Sequence, residues 1–288
     1  MFRVMQSFKK LHQNPILFVP DLFYALVNYI LITFIYSYIG FNTISSDLTG
    51  DFGSQVEVIG QFISANTTQV LISGITFIAI TFFIGAGVYV LRYNLIKQIV
   101  HDKKPSLWLA WRTNHEYYYN VILIRIFVYI ISILAVAFVI LLSTIFYLVI
   151  NPFNALIATY FSLLIAIIVS IAMILLLKWT LLFRYPLMFL TNKKNPFVVL
   201  KNSLRYFKHN PALVIYTWVV ILAVLISFML TGLLLNLIIN AISIPITFIA
   251  IPLAIILGIA MIIFDLISQL WQAIYLFTIL KEKPLKNP

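Results

Sequence analysis

The chain has 288 residues, of which 63% are hydrophobic and 9% are charged, with a formal net charge of +11 and a mean hydropathy of +1.06. Soluble domains carry about 25% charged residues, so this composition excludes a soluble protein. The chain has no cysteine, which excludes disulfides, thiolate metal sites and a cysteine nucleophile.

Six apolar segments long enough to cross a bilayer follow one another along the chain, since about 20 apolar residues are needed for one crossing. The sequence therefore predicts an all-α, polytopic membrane helix bundle. The predicted spans are residues 17–39, 70–91, 119–148, 156–182, 212–235 and 255–280. We expect an outer loop between the first two spans. Pro245 and Pro252 predict a break before the last span, with residues 237–252 lying along the outer surface or dipping into the protein.

The basic residues predict the orientation. All 19 Lys and Arg residues fall in the stretches 3–10, 92–125, 178–208 and 281–286. The charged residues of the stretch 41–69 are all acidic, namely Asp47, Asp51 and Glu57. Under the positive-inside rule, this pattern predicts a multi-pass protein of the cell membrane with both termini in the cytoplasm. Basic residues on the cytoplasmic face contact anionic lipid headgroups, which accounts for the positive net charge. We therefore expect no nucleic-acid partner.

The chain repeats itself weakly. The segment from Ser7 to Leu17 matches that from Ser203 to Leu213, with Ser, Asn, Pro and Leu identical. A second match relates Arg92-Tyr93 to Arg184-Tyr185, each followed by a Lys-Lys pair. We interpret the chain as one integral membrane domain, residues 1–288, built from three tandem helical hairpins. The units are about 1–92, 93–185 and 186–288, related by a pseudo-threefold axis along the membrane normal.

Each unit is predicted to begin with an amphipathic cytoplasmic helix. The predicted apolar faces are Val4, Phe8 and Leu11 in the first helix, Leu107, Trp108 and Trp111 in the second, and Phe197, Leu200, Leu204 and Phe207 in the third. Basic residues around these helices form the predicted basic collar, which we expect to contact anionic lipid or a partner protein. The collar comprises Lys9, Lys10, Arg92, Arg112, Arg184, Lys201, Arg205 and Lys208, together with Tyr185. Arg184 and Tyr185 could hold a phosphate headgroup, since Arg binds phosphate through two donors, but we prefer to interpret them as an interfacial anchor.

A polar face within the last span carries Asp265, Gln269 and Gln272. A carboxylate within a membrane suggests a functional site, here a polar cavity or a proton path. The simpler interpretation, which we prefer, is a protonated Asp265 or one bonded to Asn236 or Asn240. Asp21, near the start of the first span, is interpreted as a helix cap. No residue pattern predicts a metal site, a cofactor or catalysis.

Two segments carry a family resemblance: Asn14-Pro15-Ile-Leu-Phe-Val-Pro20-Asp21, and Leu182-Phe-Arg-Tyr-Pro186 with the segment from Leu200 to Pro211. They resemble an uncharacterised six-helix membrane family of archaea and bacteria, related to the membrane domain of some glycerophosphoryl diester phosphodiesterases. The resemblance implies a fold and a membrane location, and it implies no catalytic residue.

Two functions fit these observations best. The first, which we prefer, is a non-enzymatic scaffold or accessory subunit whose basic collar contacts anionic lipid or a cytoplasmic protein. The alternative is a transporter or binder of lipid or another amphiphile, which requires an inner cavity with polar groups from several helices. An intramembrane lipid enzyme is the third and least favoured possibility.

Overall fold

The computed structural model describes residues 2–41, 52–243 and 247–284, and within these ranges the chain is helical with no β-strand. The first elements are α1 (Phe2–His12), a 3₁₀ turn (Pro15–Leu17), α2 (Phe18–Tyr38), α3 (Phe52–Ala65), α4 (Thr67–Val100) and α5 (Leu107–Arg112). They are followed by α6 (Asn114–Ile150), α7 (Ala155–Leu181), α8 (Arg184–Thr191), α9 (Pro196–His209), α10 (Pro211–Ser243) and α11 (Thr247–Glu282).

Six stretches are long and apolar enough to span a membrane: Pro15–Tyr38, Thr67–Val100, Asn114–Ile150, Ala155–Thr191, Pro211–Leu235 and Ile256–Glu282. The predicted all-α, multi-pass membrane bundle is therefore confirmed. The outer segment is not simply a loop, because it contains α3. Residues 237–252 were predicted to break and to lie along the outer surface or dip into the protein; those that the structure describes continue α10 to Ser243 and begin α11 at Thr247. Residues 244–246, including Pro245, lie outside the described ranges.

The spans pack as three hairpins, in which α2 pairs with α4, α6 with α7, and α10 with α11. The short helices α1, α5 and α9 precede the respective hairpins. Near the basic residues, α4, α8 and α11 each contact the other two, so these three helices meet at the centre of the molecule. We call this end of the bundle the basic end.

The hydrophobic core lies at the basic end. Its buried side chains come from the last part of α4, the first part of α6, α8 and the last part of α11, including Leu95, Ile124, Phe189 and Phe277. Towards the other end the spans expose apolar side chains such as Ile133 and Leu163. Exposed apolar surface on a spanning helix faces lipid, where it is stable.

The two segments matched by the repeat have the same local structure. Asn14 and Asn210 adopt φ/ψ of −131°/69° and −134°/51°, and in each case a proline begins the next helical element. Each side-chain amide donates to the carbonyl four residues earlier, at 2.7 Å for Asn14 and 3.4 Å for Asn210. The division into three units remains a prediction.

The buried faces of the short helices differ from the prediction in two of three cases. In α1, Val4, Phe8 and Leu11 pack on the core as expected. In α5, Leu107 packs on the core as expected, but Trp108 and Trp111 are exposed. In α9, Leu200 and Phe207 pack on the core, but Phe197 is 66% exposed, and the fully buried residues are Pro196, Val199, Ser203 and Tyr206. Aromatic and apolar side chains are stable facing outward at a membrane interface, so periodicity alone did not identify the inner face.

Candidate functional site: a cationic cavity

A cavity of about 450 Å³ lies where α4, α6, α7, α8 and α11 meet, and we call it the cationic cavity. Among the residues that the structure describes, its lining has no carboxylate. It contains four cationic side chains, four tyrosines and two glutamines, namely Arg92, Arg125, Lys178, Arg184, Tyr89, Tyr93, Tyr129, Tyr185, Gln269 and Gln272. Polar groups from all three hairpins therefore converge at the boundary between the apolar spans and the basic end.

Arg92 is the most deeply placed cation of the cavity. It is 4% exposed, and its Nη1 donates to Oδ1 of Asp21 on α2 over 3.0 Å. Its guanidinium lies 4.4 Å from the ring centroid of Tyr89 and 5.4 Å from that of Tyr93. A buried charge requires a partner, and Asp21, itself 7% exposed, supplies it. The prediction of Arg92 as a collar residue on the surface is therefore wrong.

Asp21 is also placed differently from the prediction. It stands in the first turn of α2, but no side chain caps the start of that helix. Its carboxylate is instead directed towards α4, where it pairs with Arg92. Sequence reasoning missed this pair because the two residues are 71 positions apart. The available signal was that each lies at the basic end of one of two antiparallel neighbouring spans, where their side chains can meet.

Gln269 connects this ion pair to Asp265. Its Nε2 donates to Oδ2 of Asp265 at 2.7 Å, and its Oε1 accepts from Nη1 of Arg92 at 3.4 Å. Asp21, Arg92, Gln269 and Asp265 thus form a continuous polar chain across α2, α4 and α11. Asn236 and Asn240 were predicted as hydrogen-bond partners of Asp265, and their side chains lie outside the described part of the structure.

Arg184 lies in the cavity wall, at the start of α8. Its Nη1 donates to the carbonyl of Leu181 at 2.8 Å, and its guanidinium lies 4.7 Å from the ring centroid of Tyr185. Nε of Arg184 and Nε of Arg92 are both buried without a hydrogen-bond partner. Buried N–H groups in proteins almost always have a partner. These two cations of the cavity wall are therefore not fully hydrogen-bonded within the protein.

Arg125 and Lys178 complete the cationic lining from α6 and α7. Nη1 of Arg125 donates to the carbonyl of Phe82 on α4 at 2.9 Å. This contact needs a small residue on α4, because a Cβ at Gly85 would lie 3.2 Å from that Nη1. Lys178 is exposed. Arg125 is thus fixed against α4, whereas the Lys178 ammonium can move into or out of the cavity.

A second cavity, of about 570 Å³, lies further towards the basic end and includes Lys97, His101 and Lys194 in its lining. Several of its charges are already matched within the protein. Nζ of Lys194 donates to Glu116 at 2.9 Å, which raises the pKa of that lysine, and Nζ of Lys97 donates to Asn192 at 2.7 Å. Partial burial and the nearby cations Lys281, Lys97 and Lys103 lower the pKa of His101. Its matched charges make this cavity the weaker candidate for an anion.

The remaining collar residues are divided between solvent and internal contacts. Lys9, Arg112, Lys201 and Lys208 are exposed, and Arg205 is half-buried. Lys10 donates to Asp102 at 3.2 Å, and Lys281 donates to the other oxygen of that carboxylate at 3.2 Å, which lowers the pKa of Asp102.

Tyr185 is buried, with its ring centroid 5.1 Å from that of Tyr93. It is therefore a core residue that also lines the cavity, and its assignment to the surface collar is wrong.

Within the described ranges, no group of three or more His, Asp or Glu side chains is arranged to hold a metal ion. No protein family, curated protein or solved structure matches the chain. The resemblance to the membrane domain of glycerophosphoryl diester phosphodiesterases therefore stays a prediction.

Proposed function

We propose that this multi-pass membrane protein is a non-enzymatic binder of an anionic amphiphile, whose headgroup enters the cationic cavity. The proposal rests on one observation: four cationic side chains converge on a cavity whose lining, among the described residues, contains no carboxylate. Arginine binds phosphate and carboxylate groups through its planar set of donors. A headgroup of this kind would satisfy these donors.

The surroundings of the cavity favour an amphiphile over a purely soluble anion. Tyr129, in the cavity lining, is 54% exposed, and Ile133, one turn further along α6, is an exposed apolar residue of the span. The cavity is therefore continuous with the lipid-facing surface of α6. We propose that the apolar chain of the ligand follows this surface while its headgroup stays with the cations. Under the positive-inside rule, we propose that the cavity lies at the cytoplasmic leaflet of the cell membrane.

Native mass spectrometry of the full chain after mild extraction tests the proposal. We expect a stoichiometric lipid adduct, strongly reduced in Arg184→Gln because that change removes an unpaired donor and a charge. Lys201→Gln is the matched control, since it removes an exposed cation outside the cavity. Equal adduct on both variants, or no adduct on the natural chain, would refute lipid binding at this cavity.

A scaffold or accessory subunit remains a second candidate, and one observation favours it. Lys9, Arg112, Lys201 and Lys208 are exposed at the same end of the molecule, next to the exposed Trp108 and Trp111. A surface of this composition suits a protein partner on the cytoplasmic side as well as a lipid surface.

Co-purification tests the scaffold proposal. We expect a stoichiometric partner protein that is lost when Arg112, Lys201 and Lys208 are together changed to Gln, and retained in Arg184→Gln. Loss from Arg184→Gln alone would count against the exposed collar as the docking surface.

A further inference from the structure

The charges around the cationic cavity do not balance. Four cations line it, whereas the polar chain supplies two carboxylates, Asp21 paired directly with Arg92 and Asp265 joined through Gln269. Even with both carboxylates ionised, the described surroundings of the cavity therefore leave an excess of at least two positive charges. Unmatched charges next to hydrocarbon are costly, so a ligand that supplies the missing negative charge stabilises this arrangement.

The free donors are directed from several sides. Arg125 and Arg184 each use one Nη1 on a main-chain carbonyl, of Phe82 and Leu181 respectively, so further N–H groups remain on both. Lys178 contributes an ammonium from α7. Donors on α4, α6, α7 and α8 therefore surround one volume. Such an arrangement suits the tetrahedral oxygens of a phosphate group better than the flat pair of oxygens of a carboxylate.

Building on the lipid binding proposed above, we infer that the ligand is a lipid whose headgroup carries two negative charges, as a terminal phosphomonoester does. Two negative charges match the excess, whereas a phosphodiester headgroup with one charge leaves a cation unmatched. A monoester acquires its second charge at a pH of about 6. The binding of such a lipid therefore strengthens as the pH rises through that value, and the binding of a diester does not.

The experiment compares headgroups that share the same acyl chains. The full chain in phosphatidylcholine nanodiscs is equilibrated with phosphatidic acid or phosphatidylglycerol at pH 5.5 and pH 7.5, and bound lipid is measured by native mass spectrometry. At pH 7.5 we expect phosphatidic acid to bind about tenfold more tightly, the effect of one further charge-assisted hydrogen bond. At pH 5.5 we expect most of this preference to disappear.

Two cavity variants and one control make the comparison specific. Arg184→Gln and Lys178→Gln should each reduce the preference for phosphatidic acid to about twofold or less. Lys178 is exposed, so its replacement keeps the test informative even if Arg184→Gln fails to fold. Lys201→Gln, outside the cavity, should keep the full preference.

The outcomes distinguish a failure of the headgroup-charge inference from a failure of the proposed lipid binding. Equal binding of phosphatidic acid and phosphatidylglycerol at both pH values would overturn the inference about charge and leave anionic lipid binding intact. Binding of neither lipid above phosphatidylcholine would overturn the proposed function itself. If inorganic phosphate displaced phosphatidic acid as effectively as an alkyl phosphate does, the apolar chain would contribute nothing. That result would overturn the assignment to a lipid.

Discussion

The Asp21–Arg92 pair predicts a large effect of a small change. Asp21→Asn keeps the shape and one acceptor oxygen but removes the charge that faces Arg92. At the observed separation of 3.0 Å, unit charges attract by about 5–6 kcal/mol at an effective dielectric constant of about 20. Removing one partner of a buried pair typically costs about 3–5 kcal/mol, because the other charge stays buried and uncompensated. Since Asn still accepts a hydrogen bond, we expect a loss of about 3 kcal/mol in the free energy of unfolding.

Thermal unfolding in nanodiscs, followed by near-UV circular dichroism, measures this loss. At about 2–4 °C per kcal/mol, Tm should fall by roughly 6–12 °C. Asp265→Asn is the matched control, because Asp265 is exposed and Gln269 can still donate to the new side chain, so its cost should stay below about 1 kcal/mol. The double variant Asp21→Asn/Arg92→Gln should be less destabilised than the sum of its single variants. Equal effects of Asp21→Asn and Asp265→Asn, or simple additivity in the double variant, would refute this reasoning.

Four further predictions concern packing, capping, pH and orientation. Gly85→Ala should cost about 1 kcal/mol in unfolding free energy, because the new Cβ meets Arg125 and Tyr24, whereas Gly74→Ala, with open space around it, should be neutral or stabilising. Asn195→Ala should lower the free energy of unfolding by about 1 kcal/mol, because the Asn195 side chain accepts hydrogen bonds from the main chain at the start of α9. Thermal unfolding measures this loss, and an unchanged Tm would contradict the capping role. The hydrogen bonds from Lys281 and Lys10 lower the pKa of Asp102, so they stabilise the folded state at pH values above about 4, the ordinary pKa of an aspartate. This stabilisation is lost as the pH falls through the lowered pKa of Asp102. The stability difference between the natural chain and Asp102→Asn should therefore shrink on acidification, and a difference independent of pH between 3 and 6 would contradict this. Because the chain has no cysteine, single variants report orientation: an impermeant thiol reagent applied outside intact cells should label Ser64→Cys and spare Lys201→Cys.

The six spans could be predicted because each depends on the composition of about 20 consecutive residues, which no distant part of the chain alters. The rotation of a helix about its own axis, which decides which face is buried, is harder to predict, as α9 illustrates. Of the predicted apolar stripe, Leu200 and Phe207 pack on the core. Phe197 and Leu204 are exposed, and the smaller Ser203 is buried. In a soluble protein apolar periodicity identifies the inner face. At a membrane interface lipid accepts the apolar face too, so the same periodicity has two solutions.

The candidate site was predicted only in part. Arg184, Gln269 and Gln272 were selected from the sequence, but they were assigned to separate roles at different depths. The structure brings them into one cavity because α8 and α11 both contact α4 at the basic end. Arg125 and Lys178 were not among the residues predicted for the site. Their common position depends on how three hairpins pack, and long-range packing of this kind leaves no periodic pattern in a single sequence.

The core is concentrated at the basic end, so the two ends of the molecule are stabilised in different surroundings, one in water and one in hydrocarbon. At 1.5 Å per residue, α4 with its 34 residues is about 51 Å long, whereas the hydrocarbon layer is about 30 Å thick. The buried end of α4 therefore extends beyond the hydrocarbon, where water drives apolar side chains together. Within the hydrocarbon that driving force is absent, and helices associate through their packing and through lipid. Urea should therefore loosen the basic end first, whereas bilayer thickness and acyl-chain composition should govern how far apart the opposite ends of the hairpins stand.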